Sequence, residues 1–128
     1  MNLFNLSIMN IEEFRDYCLS KKGVTEETPF DVDTLVFKVM GKMFALTGIT
    51  AFDKINLKCN PERAVELREE YPCVKPGFHM NKKHWNSVAM DLSVSDHLVQ
   101  SWIDHSYELV VGGLTKTLQA ELQKFEES

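Results

Sequence analysis

The stretch from Pro72 to Met90 gathers side chains that are suited to binding an anion. It contains no carboxylate, although the 128-residue chain has 19, and it carries three lysines and two of the four histidines. Asn81 stands where a helix N-cap is expected, because its side-chain oxygen can accept a hydrogen bond from a free backbone N–H. The turn after this cap would present Lys82, Lys83, His84 and Trp85 together.

A second basic segment runs from Thr34 to Pro61 and has four lysines against one aspartate. Two of them, Lys38 and Lys42, flank a predicted turn at Met40-Gly41. The net charge of the whole chain is −5, which argues against indiscriminate binding of polyanions, because such affinity comes from lysines and arginines that neutralise phosphates. Any nucleic-acid role therefore depends on a local basic surface.

One hypothesis is weak, salt-dependent DNA binding, with lysines on phosphates and Trp85 or Phe78 as stacking rings. The alternative is that both rings belong to the core and the lysines are ordinary surface residues; truncation of a buried Trp85 would then be costly. The candidate nucleic-acid contacts are Lys38, Lys42, Lys75, His79, Asn81, Lys82, Lys83, His84 and Trp85.

The histidines suggest another class of function, a module for a small anionic ligand or a protein partner that uses His79 and His84. No nucleophile elbow, P-loop or H-E-x-x-H pattern is present, so we expect no enzyme activity and no cofactor. The histidine spacings do not give paired metal ligands, so no metal site is predicted. We expect His79 to fix its turn by bonding backbone carbonyls, while the lysines face the partner.

Length and composition indicate one domain, since 128 residues with 44% hydrophobic content can bury a core without disulfides or metals. Three cysteines without C-x-x-C spacing favour a reducing, cytoplasmic setting. No apolar run reaches the roughly 18 residues that span a bilayer, so we expect no membrane association. The identity of any protein partner is left open.

The elements that must position these residues follow from periodicity and capping. In the longest helix we expect Tyr107 to pack its ring on the sheet and Ser106 or His105 to bond nearby backbone. Helices are predicted at Asn10 to Lys22, Pro61 to Tyr71, Ser95 to Val111 and Thr115 to Phe125, with Asn10, Asn60, Ser95 and Thr115 as their N-caps. Strands are predicted at Val24 to Phe30, as a hairpin over 35–46, at Asp53 to Cys59 with one wet face, and at Asn86 to Leu92. This order indicates an α+β fold.

Several runs closely resemble the MmcQ/YjbR family of small bacterial proteins: residues 37–46 (FKVMGKMFAL), 57–62 (LKCNPE), 76–86 (PGFHMNKKHWN) and 106–107 (SY). The resemblance implies a frataxin-like topology, with an antiparallel β-sheet packed against helices, and a proposed DNA-binding role through a double-wing surface. It also implies that residues 1–9 are an N-terminal extension and that residues 10–128 form the single domain. The family's signature positions are all kept, namely Lys42, Pro76, His79, Asn81, Lys82, His84 and Trp85.

Overall fold

Four α-helices and a six-stranded sheet make up the part of the chain that the structure describes. This computed structural model describes the backbone of residues 9–127 and the side chains of residues 9–125. The helices are α1 (Ile11–Leu19), α2 (Pro61–Glu70), α3 (Asp96–Gly112) and α4 (Lys116–Gln123), with a 3-10 helix at Lys124–Glu127. The strands are β1 (Val24–Glu27), β2 (Thr34–Val39), β3 (Lys42–Gly48), β4 (Lys54–Lys58), β5 (Val74–Pro76) and β6 (Trp85–Ala89). They lie in the order β1-β2-β3-β4-β6-β5, and every neighbouring pair is antiparallel.

The helices begin where capping residues predict. At α1, the Asn10 side chain accepts from the Glu13 N–H at 2.8 Å, and the Glu13 carboxylate accepts from the Asn10 N–H at 3.2 Å. This reciprocal pair satisfies two backbone donors that the helix itself leaves free. The other predicted caps are also confirmed, with side chains of Asn60, Ser95 and Thr115 accepting backbone N–H groups of the first turns of α2, α3 and α4.

Strands β2 and β3 form the predicted hairpin, whose turn is Met40-Gly41. Both turn residues have positive φ, 49° and 84°, which gives a two-residue turn the twist that paired strands require. Glycine adopts this conformation without steric cost. The hairpin therefore follows from local sequence alone.

A β-bulge interrupts this hairpin opposite the step from Phe37 to Lys38, where the pairing register shifts by one residue. Phe44 is the extra residue, and a bulge leaves ladder groups unpaired. Ser106 of α3 satisfies two backbone groups there. Its hydroxyl donates to the Phe44 carbonyl O at 2.5 Å and accepts from the Lys58 N–H at 2.9 Å. The prediction that Ser106 or His105 bonds nearby backbone is confirmed, and both do so, since His105 Nε2 accepts from the Asn60 N–H at 3.3 Å.

One face of the sheet, called here the helix side, packs against the helices. Its ring pairs meet edge to face, which is a favoured aromatic geometry. They are Phe14 with Phe37 at 5.5 Å between ring centroids, Phe44 with Tyr107 at 5.5 Å, and Tyr71 with Trp102 at 5.1 Å. The Tyr107 hydroxyl also donates to the Lys22 carbonyl O at 2.6 Å. Tyr107 thus packs on the sheet as predicted.

The opposite face, called here the open face, is covered by chain rather than by helix. In the described part of the chain its apolar cluster contains no helix residue: it consists of Val36, Leu46 and Trp85, with Met43 and Met80 against them. Residues 77–84, called here the crossing loop, leave β5 and place Met80 on this cluster. A row of paired residues runs across the face, from Glu27 through Val36, Leu46, Asn56 and Ser87 to Lys75.

Three sequence predictions need correction. The segment Val74–Pro76 is a strand, β5, which local periodicity did not reveal because it is three residues long. Asn56 was placed on a wet face of its strand, yet it is only 6% exposed, and its Oδ1 accepts from the Ser87 hydroxyl of the neighbouring strand β6. Met9 was assigned to the extension 1–9, but it is 2% exposed and its N–H donates to the Asp96 carboxylate at 3.0 Å. The rest of that extension lies outside the described residues.

Candidate functional site

The crossing loop starts at Gly77, which is pressed against Trp85. The Gly77 N–H donates to the Trp85 carbonyl O at 2.8 Å. A Cβ atom on residue 77 would lie 2.7 Å from the Trp85 Cβ and 3.0 Å from the Met80 Cβ. These distances are shorter than non-bonded carbon atoms tolerate. The first turn of the loop therefore requires glycine at position 77, where the backbone lies against the Trp85 Cβ.

Asn81 and Lys82 fasten the loop from within. The Asn81 side chain accepts from the backbone N–H groups of Lys83 at 2.9 Å and His84 at 3.3 Å, which confirms the predicted cap. The Lys82 ammonium donates to the Gly77 carbonyl O at 2.9 Å. Lys82 is exposed, so the prediction that it faces a partner stays a prediction, but its ammonium also closes the loop.

Arg68 of α2 holds the far end of the loop, and sequence analysis missed it. Its Nε donates to Asn86 Oδ1 at 2.7 Å, and its Nη2 donates to the carbonyl oxygens of Trp85, at 3.3 Å, and Lys82. Asn86 is buried and donates in turn to the Ala64 carbonyl O at 3.4 Å. The planar guanidinium thus serves three acceptors at once. The sequence showed only a cation in the last turn of a helix.

Phe78 lies beyond this anchored region, and the residue is 54% exposed. Its N–H donates to Ser87 Oγ at 2.8 Å, which fixes the backbone over β6. The Lys54 ammonium lies 4.5 Å from the ring centroid, and the His79 ring lies 4.1 Å away. Backbone and cation hold the aromatic ring while part of it faces solvent.

His79 is exposed and has a left-handed backbone, with φ of 60°. Within residues 9–127 its ring makes no hydrogen bond to a carbonyl, so the prediction that His79 fixes its turn in that way is wrong. Histidine is among the residues that tolerate positive φ best, but the conformation is still uncommon outside glycine. Such backbone strain concentrates at binding sites.

A cleft of about 640 Å³ opens beside these two residues on the open face. Leu46 and Asn56 lie at its floor, while Phe78, His79 and Met80 form one wall. The opposite rim comes from the loops after β1 and β3, and includes Phe30, Asp31, Asp33 and Asp53. Ligand pockets typically measure about 300–1,000 Å³ and combine apolar walls with a few polar groups, and this cleft has both properties.

The three carboxylates on the rim differ in the hydrogen bonds that they accept. Asp31 accepts from the Asp33 N–H at 2.8 Å and from the Thr34 hydroxyl at 3.1 Å, and the first of these bonds is the main reason that the pKa of Asp31 is lowered. Asp33 Oδ1 accepts from the Thr50 N–H at 2.9 Å and its hydroxyl at 2.6 Å. Both acids shape the rim loops. Within residues 9–127, Asp53 makes no side-chain hydrogen bond or ion pair, so its carboxylate is available.

The predicted basic residues do not form one patch. Lys38 on β2 is paired with Glu27, whereas Lys42, Lys75 and Lys83 are exposed. Strands β2 and β5 are four strand spacings apart, so Lys38 and Lys75 are separated by about 19 Å across the sheet. Lys38 of the first basic segment and Lys75 of the second therefore lie toward opposite edges of the sheet, whereas Lys54 of the first segment lies 4.5 Å from the centroid of the Phe78 ring in the second.

Trp85 and His84 are mainly structural. Trp85 is 7% exposed, so its ring belongs to the core, which was the alternative considered from the sequence, and leaves no free ring face for a base. Its place among the stacking candidates is corrected. His84 is half-buried, and its carbonyl O accepts from the Cys59 N–H at 2.8 Å. Phe78, the second ring considered from the sequence, is the accessible one.

The cysteines are buried and unpaired with one another. Burial raises the pKa of Cys18 and of Cys59, so neither thiol is prepared to act as a nucleophile. Across the described residues, no three His, Cys, Asp or Glu side chains are grouped to hold a metal ion. None of the helices in that range is long and apolar enough to cross a bilayer.

Comparison with known proteins identifies the family of this chain. The sequence model of YjbR matches residues 19–109. The chain belongs to the YjbR family. It is 41% identical over 96 residues to the uncharacterized protein YbdF of Escherichia coli O157:H7, covering 74% of this chain and 79% of YbdF. It is 33% identical over 104 residues to the uncharacterized protein YjbR of Escherichia coli K12, covering 80% and 88%.

Solved structures agree with the family assignment. The crystal structure of Deinococcus radiodurans protein DR2400, described as a DUF419 domain, superposes with a TM-score of 0.85 at 39% identity, over 91% of this chain and 89% of that one. A Pseudomonas syringae crystal structure gives a TM-score of 0.67 at 30% identity, over 79% and 98%. The MmcQ/YjbR resemblance and the predicted α+β fold, an antiparallel sheet packed against helices, are confirmed.

Proposed function

We propose that this YjbR-family chain is a non-enzymatic binding protein that takes single-stranded nucleic acid across its open face. The observation that carries the proposal is Phe78, an aromatic ring held in place by Ser87 and Lys54 and still half-exposed. Stacking of a base on such a ring contributes about 1–3 kcal/mol and tolerates any base.

The charge distribution of the open face supports this role. The row across the sheet begins at Glu27, passes through neutral residues, and ends at Lys75. Lys54 adds a second cation beside Phe78, and Lys83 extends from the crossing loop. We therefore expect phosphates on the half of the face formed by β4, β6 and β5, away from the acids of the cleft rim.

A single strand fits these residues better than a duplex does. Duplex affinity grows with the number of phosphates neutralised, but Lys38 and Lys82 are engaged within the protein and Trp85 is buried. The remaining cations are few and widely spaced. A single strand exposes unpaired bases that can stack on the Phe78 ring. The paired bases of a duplex cannot gain this stacking energy.

A second candidate is the binding of a small anionic molecule in the cleft beside His79. The left-handed backbone of that residue favours it, together with the cleft volume. His84 does not line this cleft, so of the two histidines proposed from sequence only His79 is retained. The free, buried cysteines are compatible with a cytoplasmic site of action for either function.

Fluorescence anisotropy with a labelled single strand of about 12 nucleotides, and the same sequence as a duplex, tests the proposal. We expect the single strand to bind more tightly, with affinity falling between about 50 mM and 200 mM salt. Failure to bind any single strand at low salt would refute the proposal. Saturable binding of mononucleotides without oligonucleotide binding would favour the small-ligand candidate instead.

Two pairs of matched variants test whether the nucleic acid binds on the open face. Phe78→Ala should weaken single-strand binding about fivefold or more, since about 1 kcal/mol or more of stacking is lost, whereas Phe125→Ala removes another half-exposed ring and should not. Lys75→Ala should reduce the salt slope by roughly 0.7 for one lost phosphate contact. Lys116→Ala, an equal charge change on α4, should leave the slope unchanged.

A further inference from the structure

Asn56 lies at the floor of the cleft, and the Nδ2 group of its side-chain amide has no hydrogen-bond partner in the described part of the chain. Ser87 Oγ accepts from the Phe78 N–H, so the single hydroxyl hydrogen of Ser87 goes to Asn56 Oδ1. This bond fixes the orientation of the amide. Within residues 9–127 the Nδ2 group makes no hydrogen bond, and it is not among the fully buried unpaired atoms, so it has access to the cleft. The floor therefore offers a directed N–H donor.

Asp53 on the rim offers the complementary acceptor. It is exposed, lines the same cleft, and is the rim acid that makes no side-chain bond in the described chain. A carboxylate accepts hydrogen bonds from amino groups and repels phosphates. The cleft thus disfavours the backbone of a nucleic acid while it can still accept the amino edge of a base.

Two residues of the cleft walls, Phe78 and Lys54, complete the set of groups that could recognise a base. Phe78 supplies a ring for stacking, and the Lys54 ammonium lies over that ring, 4.5 Å from its centroid. Adenine and cytosine each carry an exocyclic amine next to a ring nitrogen that accepts hydrogen bonds, and asparagine and aspartate side chains are the partners of such edges. Thymine has no exocyclic amine and presents a carbonyl to the carboxylate instead.

We propose that the cleft is a pocket for one unstacked, amine-bearing base, with its phosphates on Lys54 at the cleft wall and on Lys75 outside the cleft. The base stacks on Phe78, its amine donates to Asp53, and its ring nitrogen accepts from Asn56. This assignment rests on the proposed single-strand binding and adds a base preference to it. The preference arises in the cleft, whereas backbone affinity arises on the lysines.

Binding of labelled oligo(dC) and oligo(dT) of about 12 nucleotides, compared at about pH 7.5, tests the pocket. We expect oligo(dC) to bind about five- to tenfold more tightly, the discrimination that one good pair of base contacts gives. Equal affinities would overturn the pocket and leave the proposed function standing. Absence of binding by both would overturn the proposed function itself.

Asp53→Asn distinguishes a base contact from general electrostatics. It removes a negative charge, so oligo(dT) should bind more tightly, while the ratio between the two oligonucleotides should fall toward one. Asp16→Asn makes the same charge change on an exposed α1 position and should preserve the ratio. An unchanged ratio in Asp53→Asn, with a native circular dichroism spectrum, would overturn the assignment.

Discussion

The two faces of the sheet are built by different means. The helix side is covered by α1 and α3, whose apolar residues recur with helical period and pack ring against ring. The open face is covered by the crossing loop, which is tied down by side chains that reach backbone carbonyls, chiefly Lys82 and Arg68. Cavities on the helix side measure about 10 Å³ each, whereas the cleft on the open face measures about 640 Å³. We therefore expect the helix side to contribute most of the stability and the open face to bind the ligand.

The largest expected effect separates the faces with one type of substitution. Phe37→Ala empties a fully buried position on the helix side and should lower the free energy of unfolding by about 3–5 kcal/mol. Phe78→Ala, on the open face, should lower it by about 1 kcal/mol or less. Urea unfolding followed by circular dichroism measures both. Similar losses for the two variants would contradict the division between the faces.

Gly77→Ala tests whether the crossing loop is as tightly fitted as the helix side. The new methyl group would meet the Cβ and the carbonyl O of Trp85, and neither can move freely. We expect a loss of about 1–3 kcal/mol, the range for forcing extra carbon into a packed site. Gly112→Ala is the control, because nothing lies within 4 Å of its added carbon. Thermal unfolding of the two variants should differ clearly, and equal melting temperatures would rule out a close fit at Gly77.

Two neighbouring exposed lysines of the loop differ in their contacts, because only Lys82 bonds the loop backbone through its side chain in the described chain. Lys82→Ala removes the ammonium that bonds the Gly77 carbonyl and should cost about 0.5–1.5 kcal/mol. Lys83→Ala should stay within about 0.5 kcal/mol and weaken single-strand binding. Denaturant titration and anisotropy on the same samples check this pair. The reverse pattern would mean that Lys82 is the residue that serves the ligand.

The smallest effect depends on pH and belongs to the helix side. Burial lowers the pKa of His105 from its usual 6.5, with Arg63 contributing, and its Nε2 accepts from the Asn60 N–H at 3.3 Å. The unfolded chain binds this proton more readily, so stability present above about pH 6.5 is lost as pH falls toward the lower folded pKa.

Replacement of this histidine isolates its contribution. The melting temperature of His105→Gln should fall less between about pH 7.5 and 5.5 than that of the unaltered chain, because glutamine can accept the same bond without titrating. Identical pH profiles would show that His105 does not contribute. Since its ring is half-buried, the difference should be modest.

Sequence predicted the features that depend on neighbouring residues. The four helix caps, the Met40-Gly41 turn and the Asn81 cap were all correct, because each is decided within a few positions of the chain. The bond from Ser106 was also expected, since a buried hydroxyl needs a backbone partner. Local chemistry was thus sufficient for the helix side and for the turns.

The features that sequence did not predict depend on distant contacts. Arg68 reaches the crossing loop from 14 residues away, and Asn56 is bonded to Ser87 from 31 residues away. Neither has a local pattern that reveals its partner. Lys54 was counted among the basic residues, but its position beside Phe78 follows only once the loop is folded over the sheet. The cleft is therefore a product of tertiary structure.

The close approach of Gly77 to Trp85 also bears on how relatives should be recognised. Any chain that folds this loop in the same way must keep a residue without a side chain beside the buried indole, whatever it binds. The run from Pro76 to Trp85 is therefore a marker of architecture, useful for detecting distant homologues. Ligand preference should instead vary with the residues at the cleft, so sequence searches aimed at function should compare Asp53, Asn56 and Phe78.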